Sequence, residues 1–162
     1  MKQSNPAITS ESVLNWDDSM LVGNETIDDT HREFVALATT LIRCSETTAM
    51  LHLTEIEAHI LSHFENEQSM MERTNFPATD CHVDEHNEVI KAVQQVRELY
   101  SKKEIGLSDV KRLAQALIDW FPGHIVYMDS ALSTWLCKKS FNGAPIVFRR
   151  GASTHSTENI SA

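Results

Sequence analysis

Apolar positions recur every three to four residues over four long stretches of the chain, with polar positions filling the faces between them. In the first stretch His31, Phe34, Val35, Ala38, Leu41 and Ile42 share one face. They predict a helix over about 27–45, and Thr26 and Asp29 stand at capping-box spacing before it. In the second, Ile56, Ile60, His63, Glu67, Met70 and Met71 make a stripe over about 48–73. It ends at Asn75-Phe76-Pro77, because the residue before a proline disfavours helix. The third stripe is His82, His86, Val89, Val93, Val96 and Tyr100, capped by Thr79 or Asp80 and stopped near Lys102, Lys103 and Gly106. The fourth, with Ser108 as cap, is Val110, Leu113, Leu117, Trp120, His124 and Met128. Pro122 interrupts it and leaves the Ile118 carbonyl without its amide partner. The pattern resumes with Ile125, Met128, Leu132 and Trp135, so a kink is expected there, not a break.

Four such helices on short links predict an all-α fold, an antiparallel up-down-up-down four-helix bundle. One domain is expected over residues 14–140. A flexible arm at 1–13 precedes it, with an extended lead-in from Trp16 to Gly23. A flexible tail follows at 141–162, in which Pro145-Ile146-Val147-Phe148 reads as a clasp on the bundle.

Composition narrows the function. Five glycines and four prolines in 162 residues are too few for a turn-dense all-β fold, and 41% hydrophobic content supports a packed core. A formal net charge of −9 argues against a nucleic-acid partner, which needs a basic surface. No apolar run approaches the roughly 20 residues of a bilayer span, so membrane insertion is not expected. The N-terminus carries no apolar secretory core, and Cys44, Cys81 and Cys137 form no CxxC pair. The expectation is a cytoplasmic protein with free thiols. Cys81 reads as a small buried side chain, and Met70 and Met71 as core.

The chain holds eight histidines, and five of them fall on the stripes predicted to face inward. Each imidazole there must satisfy two ring nitrogens among leucines and valines, and a metal ion supplies the missing partner for several at once. His63 and Glu67 are four apart, as are His82 and His86, so each pair projects from one helix face. His124 and Asp129 are five apart, about 140° around a straight helix, a poor arrangement for one ion. Either a second ion bridged by the carboxylate or a helix distorted near Pro122 would accommodate them. With His31 the inventory is five imidazoles and two carboxylates. This exceeds a structural zinc site and is too nitrogen-rich for calcium or magnesium. Two iron ions suit it, and manganese or zinc also fit.

In order and spacing, His31 within Thr-His-Arg-Glu-Phe, His63-Phe64-x-x-Glu67, His82-x-x-x-His86 and His124-Ile125-x-x-x-Asp129 resemble the hemerythrin signature. The lead-in with Trp16, Val22-Gly23 and Ile27-Asp28 is similar to that of the bacterial single-domain members, and the resemblance covers about 14–138. It implies a non-haem di-iron, oxo- or hydroxo-bridged site that binds dioxygen reversibly as hydroperoxide. His82, His86 and His124 would hold one iron, and His31 and His63 the other, which keeps a position for dioxygen. Glu67 and Asp129 would bridge the two. An oxygen carrier, store or supplier is implied rather than an enzyme. A di-iron enzyme or sensor acting on peroxide, NO or dioxygen is the alternative. A monomer in transient contact with an oxygen-consuming enzyme is the expected setting.

Phe34, Phe64, Trp120 and Phe121 are spaced to wall such a site and serve equally as ordinary core. His59 reads as a hydrogen-bonding or partly exposed neighbour of the site, His52 and His155 as solvated. Gln68, where the family commonly has glutamate, and Pro122-Gly123 before His124 depart from the family pattern.

Overall fold

The computed structural model describes residues 14–140. The expectations for the arm at 1–13, the tail at 141–162, the Pro145–Phe148 clasp and His155 lie outside those residues. Four rods form the bundle: α1 (Glu25–Ile42), α2 (Ala49–Thr74), α3 (Thr79–Ser101), and a fourth built from α4 (Leu107–His124), a π-helical turn (Ile125–Asp129) and α5 (Ser130–Ser140). Each rod packs on its neighbours in sequence and α4 closes the ring against α1, as the up-down-up-down expectation requires. Among the described residues no helix is long and apolar enough to cross a membrane.

Local chemistry sets the helix ends, and three of the expected caps are displaced. Asn24, not Thr26, caps α1, its Oδ1 accepting from the Ile27 amide at 3.3 Å. Asp28 is spent differently: its carboxylate accepts from the Val22 and Gly23 amides at 2.7 and 3.1 Å and ties down the lead-in. Gly23 turns the chain there at φ 79°, a conformation that disfavours any side chain. The lead-in is not wholly extended, since Asp18–Met20 forms one 3₁₀ turn. Thr79 lies inside α3, whose first turn has no side-chain cap. In place of Ser108, the Asp109 carboxylate reaches back to the Gly106 amide at 2.9 Å. Asn75 ends α2 in the left-handed conformation (φ 53°, ψ 53°), and the Phe76 amide donates to the Met71 carbonyl at 2.9 Å.

The core divides in two. A large cluster, including Phe34, Leu41, Leu53, Ile56, Ile60, Val93, Val110, Leu117 and Phe121, fills most of the bundle. A small one, Ile27, Met71 and Leu132, closes the end where α1 begins and α2 stops. Between them lies a layer of buried polar side chains.

Candidate metal centre

That layer contains all seven residues singled out by spacing. His31, His63, Glu67, His82, His86, His124 and Asp129 are each no more than 3% exposed. Burying so many polar groups in one plane is costly unless each finds a partner.

Their atoms sort into two pockets. On one side the Glu67 Oε1 lies 3.1 Å from His63 Nε2 and 3.9 Å from His31 Nε2, and the Asp129 Oδ2 lies 3.0 Å from His31 Nε2. On the other, the Glu67 Oε2 lies 3.5 Å from His82 Nε2 and 3.4 Å from His86 Nε2. The Asp129 Oδ1 is 3.2 Å from both His82 Nε2 and His124 Nε2. Each carboxylate thus turns one oxygen to each pocket. Many of these atoms make no hydrogen bond despite their closeness: Nε2 of His31 and His82, Oε2 of Glu67 and both oxygens of Asp129 are buried without one. Converging nitrogen and oxygen donors that hydrogen bonds do not pair off suit a cation, so the residues fit a metal ion. Two donor groups of metal-binding composition are present, Glu67, His82, His86, His124 and Asp129 in one and His31, His63 and Glu67 in the other.

The π turn resolves the awkward spacing of five. The Ser130 amide donates to the Ile125 carbonyl, five residues back, and the Ser130 hydroxyl adds a second bond to the same oxygen at 2.9 Å. Widening the turn by one residue carries His124 and Asp129 onto the same face. The helix passes through Pro122 without breaking, as expected, and the distortion follows the proline by one turn.

The electrostatics reflect the crowding. Burial and the Asp129 charge push the Glu67 carboxyl up, but the facing imidazoles of His63 and His82 outweigh them and hold it below the ordinary range. Asp129 is held down likewise: burial opposes, and His124, His31 and His82 prevail. His82 is raised to about 9, because Asp129 and Glu67 overcome the effect of its burial. His86 is lowered to about 3, chiefly by burial, with His124 and His82 adding to it against the pull of Glu67.

Aromatic rings enclose the layer. Phe64 stacks on His86 at 3.7 Å between centroids and 6° between planes, and Trp120 lies 4.4 Å from His124. Phe121 meets His31 edge-on at 5.2 Å and Phe34 packs on Phe121 at 4.2 Å. Trp16 reaches to 6.5 Å from His31.

A family model described as the hemerythrin HHE cation binding domain matches residues 22–136. The chain belongs to the hemerythrin family. A bacteriohemerythrin of Ralstonia nicotianae is 30% identical over 127 residues, covering 78% of this chain and 91% of that protein. A hemerythrin-like protein of Naegleria gruberi is 25% identical over 117 residues, 72% of this chain and 92% of its own. A bacteriohemerythrin of Aquifex aeolicus is 25% identical over 119 residues, 71% and 91% respectively. The cation-binding description of that domain agrees with the buried layer of His, Glu and Asp side chains in this chain.

Other expectations fare variously. His59 is half-buried one turn before His63, its Nδ1 3.6 Å from the Glu33 carboxylate. Its imidazole is lowered to about 4, mainly by burial and then by His63 and His31, against a Thr30 backbone contact. His52 pairs with Glu55 at 2.8 Å. Cys81 is exposed, not buried, because at the start of α3 it lies off the inner stripe that His82 occupies. Met71 is core, as expected, and Met70 packs on it from the edge. Glu85, which approaches the site from α3, gave no sequence signal, since the residue beside an inward histidine falls outside the apolar period.

Proposed function

We propose that this hemerythrin domain holds two iron ions and binds dioxygen reversibly as a carrier, store or supplier. The observation that carries the reading is the split of both bridging carboxylates. One oxygen of Glu67 and one of Asp129 face His82, His86 and His124, and the other two face His31 and His63. Two adjacent ions would share both carboxylates, and the His31 and His63 side offers one fewer imidazole. That side has the fewer protein donors, so an exogenous ligand would complete it. When bound, the irons supply the electron pair that reversible dioxygen binding requires.

The protein's own part is positioning and exclusion of water. Glu67 and Asp129 set the separation of the two pockets, and the histidines supply neutral nitrogen donors. Phe121, Phe34 and Phe64, each at most 4% exposed, keep the His31 and His63 side apolar. A dry pocket disfavours proton delivery from solvent and hence loss of the bound oxygen in reduced form. No side chain is assigned acid or base work, and the reading is of a binding protein rather than an enzyme.

The test is iron content together with the visible spectrum, recorded after anaerobic reduction, then in air, then after degassing. Two irons per chain and a charge-transfer band that appears with air and disappears on degassing are expected. Irreversible oxidation in air with turnover of peroxide or NO would replace the carrier by a di-iron enzyme or sensor. Failure to take up iron would end the di-iron reading.

A further inference from the structure

Glu85 lies on α3 one residue before His86 and faces α4. Its Oε1 accepts a hydrogen bond from Trp120 Nε1 at 2.8 Å and lies 3.4 Å from His124 Nδ1. The Trp120 ring in turn lies against the face of His124, tilted by 31°. One carboxylate oxygen therefore meets both an edge of His124 and the aromatic plate that covers it.

His124 needs such a restraint more than the other imidazoles of the layer. It is the last residue of α4, two positions after Pro122 and directly before the π turn, so regular helix geometry fixes its backbone only on one side. Its Nε2 points into the pocket, 2.9 Å from His86 Nε2 and 3.2 Å from the Asp129 Oδ1. For Nε2 to offer a lone pair to an ion, the ring proton must sit on Nδ1. That nitrogen is buried and makes no close hydrogen bond, and the carboxylate it faces is Glu85 at 3.4 Å. A carboxylate facing the outer nitrogen of a metal-bound histidine fixes its tautomer and orientation and strengthens it as a donor. Glu85 is itself two-thirds covered, its side chain 33% exposed, and the Trp120 N–H with the nearby edge of His124 gives a carboxylate at that depth its polar surroundings.

We infer that Glu85 is a positioning residue of the metal centre: it takes the Nδ1–H of His124 as a hydrogen bond, directly and through Trp120 holds that ring, and so determines how tightly the His82, His86 and His124 pocket keeps its ion. This rests on the two-metal reading above.

The test compares wild type with Glu85→Leu, Glu85→Gln and Trp120→Phe. Ferrous iron is titrated without oxygen in competition with a chelator of known affinity. Zinc-loaded protein with ¹⁵N-labelled histidine rings is examined by NMR for the His124 Nδ1–H resonance. Wild type is expected to hold two ions and to show a protected, downfield Nδ1–H. Glu85→Leu should lose about 10- to 100-fold in affinity for one of the two ions and lose that resonance, while the other ion binds as before. Glu85→Gln keeps an acceptor and should restore most of both, whereas Trp120→Phe keeps the carboxylate and should retain the resonance. Circular dichroism of the metal-free variants checks that the bundle is intact. Wild-type affinities and an unmoved resonance in Glu85→Leu would overturn the assignment. So would an equal loss in Trp120→Phe with its resonance retained, since packing would then be the cause. A wild type that binds fewer than two ions defeats the two-metal reading itself, a result distinguishable from either.

Discussion

Both pockets depend on Glu67, because its two oxygens face opposite ways. Glu67→Ala is therefore expected to reduce metal uptake at both positions, whereas His63→Ala removes a donor from one pocket and should leave about one ion per chain. Metal analysis of the two variants after identical loading checks the contrast, and equal losses would contradict the shared role of the carboxylate. Asp28 shows the same economy outside the site. Only 4% exposed, it holds the Val22 and Gly23 amides. Bonds to a charged acceptor contribute about 1.5–3 kcal/mol each, so losing both in Asp28→Ala should destabilise the fold by roughly 3–6 kcal/mol in urea unfolding. At this scale the sequence was legible wherever a residue lay on a stripe. The five histidines and Glu67 lay on the helical period, whereas Asp129 fell off it and was reached through the motif that begins at His124. Glu85 and the exposed Cys81 were not legible, because a residue beside the stripe has its burial set by the neighbouring helix, not by its own.

At the scale of elements, stripes and stop signals were readable, but caps were not. Thr26, Asn24, Asp28 and Asp29 all carry acceptors near one helix start, and the partner each chooses depends on where the lead-in returns. That is decided by Gly23 and by the Ser133 hydroxyl, which donates to the Val22 carbonyl at 2.8 Å across a separation of 111 residues. The π turn was legible only as a contradiction, a spacing of five that a straight helix could not use. It makes a distinct prediction. A π turn is an α-helix with one extra residue, so deleting the exposed Val126 should convert it to a regular turn and place the histidine and aspartate four apart, still on one face. Downstream packing of Leu132 keeps its register. Deleting Asp119 within regular α4 instead rotates His124 by about 100° relative to the preceding core residues. The Val126 deletion should keep metal binding and the Asp119 deletion should lose it. Equal outcomes in metal analysis would mean that the π turn does not set the geometry.

For the molecule as a whole, a polar layer inside an apolar bundle makes stability a function of proton uptake when no metal is bound. The groups pull in opposite directions. His86 at about 3 and His59 at about 4 remain neutral in the fold while the unfolded chain takes up protons near 6.5, so stability falls as pH drops below 6.5. Glu67 and Asp129, held below their ordinary values of 4.5 and 3.8, add to that loss on the acid side. His82 at about 9 acts the other way: its contribution is complete below 6.5 and disappears as pH rises toward 9. The metal-free protein should therefore be most stable near pH 6.5 and weaker at both 4.5 and 9, as measured by urea unfolding at the three values. Replacing His82 by glutamine removes the alkaline decline but not the acid one. Metal uptake must displace the same His82 proton, so loading at pH 7.5 should release about one proton per chain from this residue, and affinity should rise with pH until about 9. Proton release measured in weak buffer during loading checks this. Loading without proton release, or affinity independent of pH between 7 and 9, would show that His82 is not protonated in the metal-free layer.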